Sequence, residues 1–472
     1  MSDESTSANG ERFERTVLPG LPTLVSLEIQ PHSVCYLSDA KLGDDRLQLD
    51  ADEYGVVRFH ATASRDGAPL EVLLEEVYED GTTVTHTIAL SADANHWAPP
   101  TRVDRDGRQT IPALTDDPQD LSNEDLVRRG YPPRPDPKEA PIRYARWRQI
   151  VSQEYVRVNP KQVEHPDVRF TKIEPETVMS PTLPLPPPSE REALEKLLGG
   201  VLPVPRQLID SMFNSSSSTW SGVYVTEPAN QFFVVEADWT VPRVFAGPTS
   251  PTYSAVAKWV GLGNSSSDLF QSGTDSESFN FMGWQFANYW MWIEPLPYAP
   301  WSVPNFLIEP GDRISVSIFV ADERGTTWFQ EPLGGGLTNR DDTIWFMLYN
   351  KTRRLSYWGT YPTVDRGGRF RFNGNTAEFI LERPSSSRGG AFALANFCIT
   401  TMRNCAFADS EYGGRDYFPV EPDDGSQPFD GTETYLNMDN PATGHRLATA
   451  VSGQDPTSYG GYDIIWVYSN AI

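Results

Sequence analysis

Four polar side chains interrupt apolar, strand-like stretches in the second half of the chain. They are Gln271 in the stretch LFQSG, Glu294 in WIEPLP, and Glu378 and Glu382 in AEFILE. A hydrophobic core would place apolar side chains at such positions, so these residues need a chemical reason. A carboxylate can take and return a proton in acid–base catalysis. The residue types therefore indicate carboxylate chemistry.

Other catalytic groups are scarce in the same region. Residues 166–472 contain a single histidine, His445, in a polar turn-like stretch, so a Ser–His–Asp or Cys–His site would have to be built around it. The serine-rich stretches 214–219 and 264–268 form no Gly-x-Ser-x-Gly motif. The sequence has no pair of His or Cys residues at the spacing of zinc ligands. It also has no glycine loop of the kind that binds phosphate before a helix. We therefore expect no metal and no cofactor.

The segment TAEFILER predicts how its carboxylates are placed. A strand puts Glu378, Ile380 and Glu382 on one face and the apolar residues between them on the other. A face with two carboxylates is either solvated or lines a polar cleft, and solvation is the default for one acidic strand in an acidic protein. Polar insertions in three separate apolar stretches favour the cleft.

Several motifs, in this order, resemble those of the glutamic peptidases, the eqolisin family. The stretch 270–273 (FQSG), after 259–261 (WVG), is similar to the Leu-Gln-Thr-Gly strand that holds the family's catalytic glutamine. The stretch 377–382 is similar to the Ala-Glu-Trp-Ile-Val-Glu segment that holds its catalytic glutamate, and 292–297 resembles a Trp-Tyr-Glu-Trp-Tyr-Pro segment. Further matches extend the similarity to about 250 residues of the C-terminal region, about 215–472; they are WSG at 220–222, EADWTVP at 236–242 and PGD at 310–312.

The resemblance implies an endopeptidase that works on polypeptides at acid pH. It implies that Glu378, with an ordinary carboxyl pKa of about 4.3, takes a proton from a water molecule, while Gln271 orients that water and stabilises the oxyanion. Protonated Glu378 then gives its proton to the leaving amine, and the scheme needs no metal, cofactor or covalent intermediate. The substrate-binding residues that it implies are Trp220, Trp259, Asp275, Trp292, Glu294 and Glu382.

The elements that carry these residues are predicted to be strands. From residue 214 to 472 the apolar runs are short and separated by Gly and Pro, which predicts an all-β fold with two packed antiparallel sheets. The resemblance implies a concanavalin-like β-sandwich. Eleven of the thirteen tryptophans fall in this region, which favours an aromatic-walled groove, although large sandwiches also bury tryptophans.

The first half of the chain divides into three segments. Residues 1–20 are polar and predict a disordered tail. Residues 21–98 alternate with period two between Asp-Gly turns, which predicts a small β-sandwich-like domain. Residues 99–213 are rich in proline and predict a connector, or a propeptide-like segment, with short helices that begin near Ser122 and Ser189.

Part of the connector is basic where the C-terminal region is acidic. Arg143, Arg146 and Arg148 could cover an acidic cleft as a propeptide does, with release when the cleft carboxylates become protonated. A structured linker whose charges face water explains the same residues. An intramolecular contact between the connector and the catalytic cleft is thus a prediction.

The charge balance limits the partners. The chain of 472 residues has 64 acidic and 39 basic residues and a net charge of −25, and such a surface repels nucleic acids and anionic membranes. The N-terminus does not resemble a secretory signal, and no run is apolar enough to span a bilayer. The resemblance implies a secreted protein, because the family is mostly secreted. The two signals disagree, so the sequence predicts no compartment. Cys398 and Cys405 are expected to be buried free thiols.

Two other functions fit the same residues. A β-sandwich with a tryptophan-lined face also suits a noncatalytic peptide- or carbohydrate-binding module. A glycoside hydrolase could use Glu378 with Glu294 or Glu382 as its acid and base. The amide of Gln271 would then have no role.

Overall fold

The computed structural model divides the chain into two compact units. Unit 1 consists of Met1–Pro133 and Gln153–Gln162, and unit 2 of Arg134–Ser152 and Val163–Ile472. The predicted connector, 99–213, is thus shared between the two units. The structure describes residues 8–17, 23–29, 34–38, 47–50, 56–61, 70–78, 82–92, 109–115, 120–158, 163–165, 168–170, 215–226, 232–245, 253–264, 268–281, 284–321, 343–363, 370–386, 390–409, 432–454 and 462–468.

Unit 1 is built mostly of strands, in which the alternating runs of 21–98 take part as predicted. Its elements are β1 (Ala8–Val17), β2 (Thr23–Glu28), β3 (Val34–Ser38), β4 (Leu47–Asp50), β5 (Val56–Ala61), β6 (Leu70–Val77), β7 (Thr83–Ala92), β8 (Gln109–Ile111), the helix α1 (Asn123–Arg128) and β9 (Tyr155–Arg157). One sheet has the order β1-β7-β6-β3-β4, and β2 pairs with β5. Leu74 and Ile88 are completely buried in this unit.

The predicted disordered tail is wrong for residues 8–17, which form β1. This strand pairs in parallel with β7, and Phe13 packs against His86 with ring centroids 5.6 Å apart. Backbone hydrogen bonds to a neighbouring strand do not require apolar side chains. A polar stretch can therefore form a strand where a sheet edge lies beside it.

Helix α1 begins where the sequence predicts. Ser122 is its N-cap, and Ser122 Oγ accepts a hydrogen bond from the backbone N–H of Asp125 at 3.1 Å. This bond satisfies one of the free amides of the first turn. The second predicted helix, near Ser189, lies outside the described residues.

Two further observations concern apolar helices and the cysteines. In the part of the chain that the structure describes, no helix is long and apolar enough to cross a bilayer. Cys405 is buried and Cys398 is exposed, and both thiols are free. The prediction of a buried thiol is therefore wrong for Cys398, which takes a positive φ of 56° just before a strand begins at Ile399.

Unit 2 is nearly all β. Its described elements are α2 (Pro141–Val151), β10 (Val163–Glu164), β11 (Val168–Arg169), β12 (Ser215–Ser217), β13 (Trp220–Thr226), β14 (Phe232–Thr240), β15 (Tyr253–Gly263), β16 (Leu269–Phe281), β17 (Trp284–Pro295), β18 (Trp301–Ser302), β19 (Arg313–Ala321), β20 (Thr343–Asn350), β21 (Leu355–Pro362), β22 (Thr376–Glu382), β23 (Ser385–Ser386), β24 (Ala393–Leu394), β25 (Ile399–Asp409), β26 (Thr432–Asp439), β27 (Arg446–Gln454) and β28 (Tyr462–Tyr468). The all-β fold class predicted from the sequence is confirmed.

Most strands of unit 2 fall into two antiparallel sheets. The front sheet has the order β26-β13-β22-β15-β16-β17-β18-β10. The back sheet has the order β27-β28-β25-β14-β19-β20-β21. The pairing of β26 with β27 links the two sheets.

Side chains of both sheets meet between them. Trp239 Nε1 of the back sheet donates to Thr274 Oγ1 of the front sheet at 3.0 Å, and Phe379 of the front sheet packs against Phe407 with ring centroids 6.5 Å apart. Because side chains alternate along a strand, the neighbours of Thr274 and Phe379 in sequence point to the opposite, outer face of the front sheet. That outer face includes Glu378.

Helix α2 packs against the back sheet through a buried arginine. Arg146 is 3% exposed, and its guanidinium lies 2.7 Å from Glu236 and 3.0 Å from Asp238, both in β14. The same group donates to the carbonyl of Val316 in β19 at 2.6 Å. The bounds of α2 are not evident from the sequence, because buried arginines interrupt the apolar face of this helix.

The prediction that Arg143, Arg146 and Arg148 cover the catalytic cleft is wrong. Arg146 binds carboxylates on the face of β14 that points away from the front sheet, since Trp239 of the same strand points toward it. Arg143 is buried with the helix, and Arg148 is exposed. The helix therefore places Arg146 against two carboxylates of the back sheet, Glu236 and Asp238.

Candidate active site

Three antiparallel strands bring Gln271 and Glu378 to the two sides of one glycine. Gly261 of β15 pairs with Gln271 of β16 on one edge and with Glu378 of β22 on the other. Directly paired residues of neighbouring strands project to the same face, which here is the outer face of the front sheet. Strand register therefore places the two predicted catalytic side chains together.

Gly261 leaves a gap that the side chain of Glu378 and two apolar side chains occupy. A Cβ atom at this position would lie 3.2 Å from Glu378 Oε2, 3.1 Å from Leu269 Cδ1 and 2.9 Å from Trp259 Cζ3. Contacts this short force the neighbouring side chains to move. The arrangement therefore requires a residue without a side chain at 261.

The side chain of Gln271 is fully buried, and Glu294 orients its amide. Glu294 of β17 pairs with Gln271, and Gln271 Nε2 donates a hydrogen bond to Glu294 Oε2. A carboxylate only accepts hydrogen bonds, so this contact turns the amide nitrogen toward Glu294. Gln271 Oε1 has no hydrogen-bond partner among the described residues.

One oxygen of Glu378 is held and the other is free. Glu378 Oε1 lies 2.9 Å from Thr376 Oγ1, and Oε2 has no partner within the described part of the chain. Burial raises the pKa of Glu378 to about 8, against a smaller lowering by the hydrogen bond with Thr376. In this form the carboxyl group is protonated at acid pH. The sequence analysis predicts an ordinary carboxyl pKa for Glu378, and the pKa in the fold is higher.

Thr376 can follow the protonation state of Glu378. Thr376 Oγ1 also lies 3.1 Å from the carbonyl oxygen of Gly263. A hydroxyl has one proton and a carbonyl only accepts, so protonated Glu378 donates to Thr376, which donates to Gly263. When Glu378 is ionised, Thr376 turns its proton toward the carboxylate. Glu378 thus keeps one hydrogen bond in either state.

The predicted substrate-binding residues share this face with the catalytic candidates. In three adjacent rows across the strands, the face carries Glu294, then Trp259 and Trp292, then Trp220, Glu382 and Asp275. Trp259 Nε1 donates to Glu382 Oε2 at 2.8 Å, and the rings of Trp220 and Trp259 meet edge to face with centroids 4.9 Å apart. The structure brings all six together.

Asp275 adds a second buried acid. Asp275 Oδ1 accepts from the backbone N–H of Ser276 at 2.8 Å, and Oδ2 has no partner among the described residues. Burial, and next the charge of Glu277, raise the pKa of Asp275 well above its ordinary value. At acid pH the face therefore carries neutral carboxyl groups at Asp275 and Glu378.

A segment that precedes the sandwich in sequence covers tryptophans of this face. Phe170 stacks on Trp292 with ring centroids 3.8 Å apart and planes 12° apart. His165 stacks on Trp290 at 4.2 Å and 16°. The contact predicted between the connector and the cleft is thus made by aromatic side chains of residues 165 and 170 and not by the arginines of α2.

Four residues at this site are missing from the sequence prediction: Gly261, Thr376, His165 and Phe170. Gly261 lies inside the motif WVG, and Thr376 directly precedes AEFILE, so the motifs contain both residues without assigning them a role. His165 and Phe170 contact residues far away in sequence, and no local pattern marks such contacts.

The comparisons with known proteins concern the same region. Residues 218–335 match the model of the Peptidase A4 family. Similar solved structures include scytalido-glutamic peptidase with a peptide-based transition-state analogue, at 19% identity over 53% of this chain and 98% of that chain, with a TM-score of 0.36. SCP-B, a member of the eqolisin family in complex with the tripeptide Ala-Ile-His, has 18% identity over 53% and 98%, with a TM-score of 0.33. Aspergilloglutamic peptidase from Aspergillus niger has 18% identity over 46% and 99%, with a TM-score of 0.30.

No curated protein sequence matches the chain. The residues that match the family model include Gln271 and Glu294 and end before Glu378. The resemblance that the motifs indicate is confirmed by this match of residues 218–335 to the model of the Peptidase A4 family.

Proposed function

We propose that this chain is an endopeptidase of the glutamic type that hydrolyses polypeptides at acid pH with Gln271 and Glu378. The observation that carries the proposal is a pair of oxygens, Gln271 Oε1 and Glu378 Oε2, on the strands at either side of Gly261. Neither oxygen has a hydrogen-bond partner among the residues that the structure describes. A water molecule between them would have two hydrogen-bond acceptors that fix its orientation. The tryptophans beside them suit the apolar side chains of a peptide.

In the proposed reaction, ionised Glu378 takes a proton from this water as it attacks the scissile carbonyl. Glu294 holds one N–H of Gln271 Nε2, and the other N–H donates to the developing oxyanion. Protonated Glu378 then gives its proton to the leaving amine. Thr376 keeps a hydrogen bond to Glu378 as the proton arrives and leaves.

The base must be ionised, which requires the site to open. In the closed form, burial keeps the pKa of Glu378 at about 8, so the group is protonated at acid pH. When water and substrate replace the apolar cover, the desolvation that raises this pKa decreases. The proposal thus couples an acid pH optimum to an open cleft.

The first test is hydrolysis of casein by the purified full chain from pH 2 to 7, with new N-termini identified by mass spectrometry. We expect cleavage to be strongest at acid pH. Gln271→Ala should lower the rate by about 10²- to 10³-fold, because it removes the oxyanion donor. Gln149→Ala, at a half-buried position of α2, is the matched control and should leave the rate unchanged. Equal rates for the two variants would contradict the role of Gln271.

A second prediction concerns the gap at Gly261. Gly261→Ala should lower kcat by about 10- to 100-fold, because its Cβ displaces Glu378 and Trp259 from their positions. Gly359→Ala is the control, since its Cβ would crowd Tyr357 at 2.9 Å in the back sheet. We expect both variants to lose about 1 to 3 kcal/mol of unfolding free energy and only Gly261→Ala to lose kcat. A similar kcat in both variants would show that the gap is not needed.

The two other functions receive less support from the contacts. Glu294 is bound to Gln271, and Glu382 is bound to Trp259, so a glycoside hydrolase would have to break one of these bonds to free its second carboxylate. If the protein binds unfolded casein but mass spectrometry finds no new N-termini, we conclude that it is a noncatalytic binding module.

A further inference from the structure

The outer face of the front sheet continues well beyond the row of Gln271 and Glu378. Strand β16 extends to Phe281, and it pairs with β15 and β17 without a bulge along this length. Phe279 follows Gln271 by eight residues in β16, so both side chains project to the outer face. A step of this length along a strand measures about 27 Å. The far end of the face is therefore remote from the catalytic candidates but continuous with them.

Three aromatic side chains form one row at this far end. Tyr253 of β15 pairs with Phe279 of β16, and Phe279 pairs with Phe286 of β17. The rings of Tyr253 and Phe279 have centroids 5.0 Å apart, and Phe392 meets Tyr253 edge to face at 4.8 Å. We call Tyr253, Phe279 and Phe286 the distal aromatic row.

A polar row beside the distal aromatic row holds one of its rings in place. Glu277, which is 8% exposed, accepts a hydrogen bond from Tyr253 Oη at 3.1 Å and another from Asn288 Nδ2 at 2.9 Å. The three residues lie on three neighbouring strands. The position of Tyr253 is thus fixed before any ligand binds, which lowers the entropy that binding costs.

Exposure rises along β17 from the catalytic row to the far end. Trp292 is 0% exposed and Trp290 8%, whereas Phe286 is 56% exposed. Single exposed apolar residues are common, but Phe286 ends a row of aromatic rings on the face that the proposed substrate would use. Covering its ring removes apolar surface from water, which favours binding. The far end is accessible in the same form in which Gln271 and Glu378 are completely buried.

We propose that the distal aromatic row binds an apolar side chain of the polypeptide substrate, about eight residues from the scissile bond. The inference rests on the proposed peptidase function. An extended chain advances about 3.4 Å per residue, so about eight residues cover the distance between Gln271 and Phe279. An unfolded polypeptide reaches both ends of the face at once, and a short peptide does not. Long unfolded polypeptides are therefore the preferred substrates.

The test compares long and short peptides that share one cleavage site, taken from the casein cleavages found by mass spectrometry. The short peptide ends about four residues from the scissile bond on each side, too close to reach the distal aromatic row. Long versions add a flexible segment on either side, with phenylalanine or serine about eight residues from the scissile bond. On one of the two sides, kcat/KM should be about tenfold higher with phenylalanine than with serine, the size of one aromatic contact.

Phe286→Ser tests the contact itself. Together with the exchange of phenylalanine for serine in the peptide, it forms a double-mutant cycle in which we expect a coupling of about tenfold in kcat/KM. Ile399→Ser is the matched control, since Ile399 is 64% exposed in the back sheet; it should keep the preference for phenylalanine. If circular dichroism shows that Phe286→Ser does not fold, Phe286→Ala replaces it. Additive effects of the two exchanges would overturn the distal site.

Binding without turnover separates this inference from the peptidase. In a Gln271→Ala background, fluorescence anisotropy of labelled, unfolded casein should give a Kd about tenfold higher when Phe286→Ser is added, and an unchanged Kd when Ile399→Ser is added. That result, with no hydrolysis by the parent, would keep the distal site and reject the peptidase. Hydrolysis with equal kcat/KM for all long peptides would keep the peptidase and overturn the distal site. A parent dimer that Phe286→Ser converts to a monomer would assign the row to a second copy of the chain and also overturn it.

Discussion

Glu378→Gln is expected to lower kcat/KM for peptide hydrolysis by about 10⁴-fold, the upper end of what general acid–base catalysis contributes. Glutamine has nearly the same shape but cannot take a proton from water or return one to the leaving amine. Steady-state kinetics on a quenched-fluorescence peptide at acid pH measure the loss. Glu139→Gln, an exposed position in the same unit, should leave kcat/KM unchanged.

The same substitution should also make the fold more stable at neutral pH. The folded pKa of Glu378, about 8, lies above its ordinary value of 4.5, so the parent loses stability as the pH rises from about 4.5 through about 8. Glutamine does not ionise, and the variant should escape this loss, which amounts to several kcal/mol. Urea unfolding at pH 4 and pH 9 measures the difference. A stability difference that is the same at both pH values would contradict the burial of an ionisable Glu378.

Arg146→Met is expected to cause the largest loss of stability, about 3 to 5 kcal/mol. The substitution removes the partner of Glu236 and Asp238 and leaves two buried carboxylates with less compensation. Lys351, which lies 2.8 Å from Asp238, still contacts one of them. Urea unfolding at pH 7 measures the loss, and Arg148→Met, on the exposed side of the same helix, should stay within about 0.5 kcal/mol of the parent.

The pH dependence of this loss has a definite sign. Lys351 and Arg146 hold the pKa of Asp238 well below its ordinary value, against the effect of burial. A carboxyl group with a lowered pKa stabilises the fold above its ordinary pKa of 3.8, and this stabilisation is lost as the pH falls toward the folded value. The cost of Arg146→Met should therefore be smaller at pH 2.5 than at pH 7. Equal costs at the two pH values would assign the effect of Arg146 to packing alone.

Local patterns in the sequence are sufficient to predict the strands and the catalytic candidates. The alternation in TAEFILER predicts the face of Glu378 correctly. The motifs single out Gln271, although it lies two strands away from Glu378 in the sheet. Period-two patterning and motif spacing are local properties, and they suffice where a side chain is placed by its own strand.

Contacts between distant segments leave no such signal. Nothing in the sequence around Phe170 distinguishes it from other aromatic residues of the connector. Its role is evident only from its stacking on Trp292 in the fold. The partners of Arg146 lie in β14, ninety or more residues away. The charge pattern of the sequence therefore predicts the wrong carboxylates as partners of the basic helix. The acidity of Glu378 depends on what covers it, which composition and spacing do not report.

The contact between Arg146 and β14 determines how a shortened protein would behave. A protein that starts near Ser215 would lack α2, and Glu236 and Asp238 would lose their guanidinium. A single cut between residues 170 and 215 would instead leave α2 bound, as a separate polypeptide held without a covalent link. Such a product would elute as one peak in gel filtration and separate into two bands on a denaturing gel. For expression of unit 2, residue 134 is therefore a better first residue than 215.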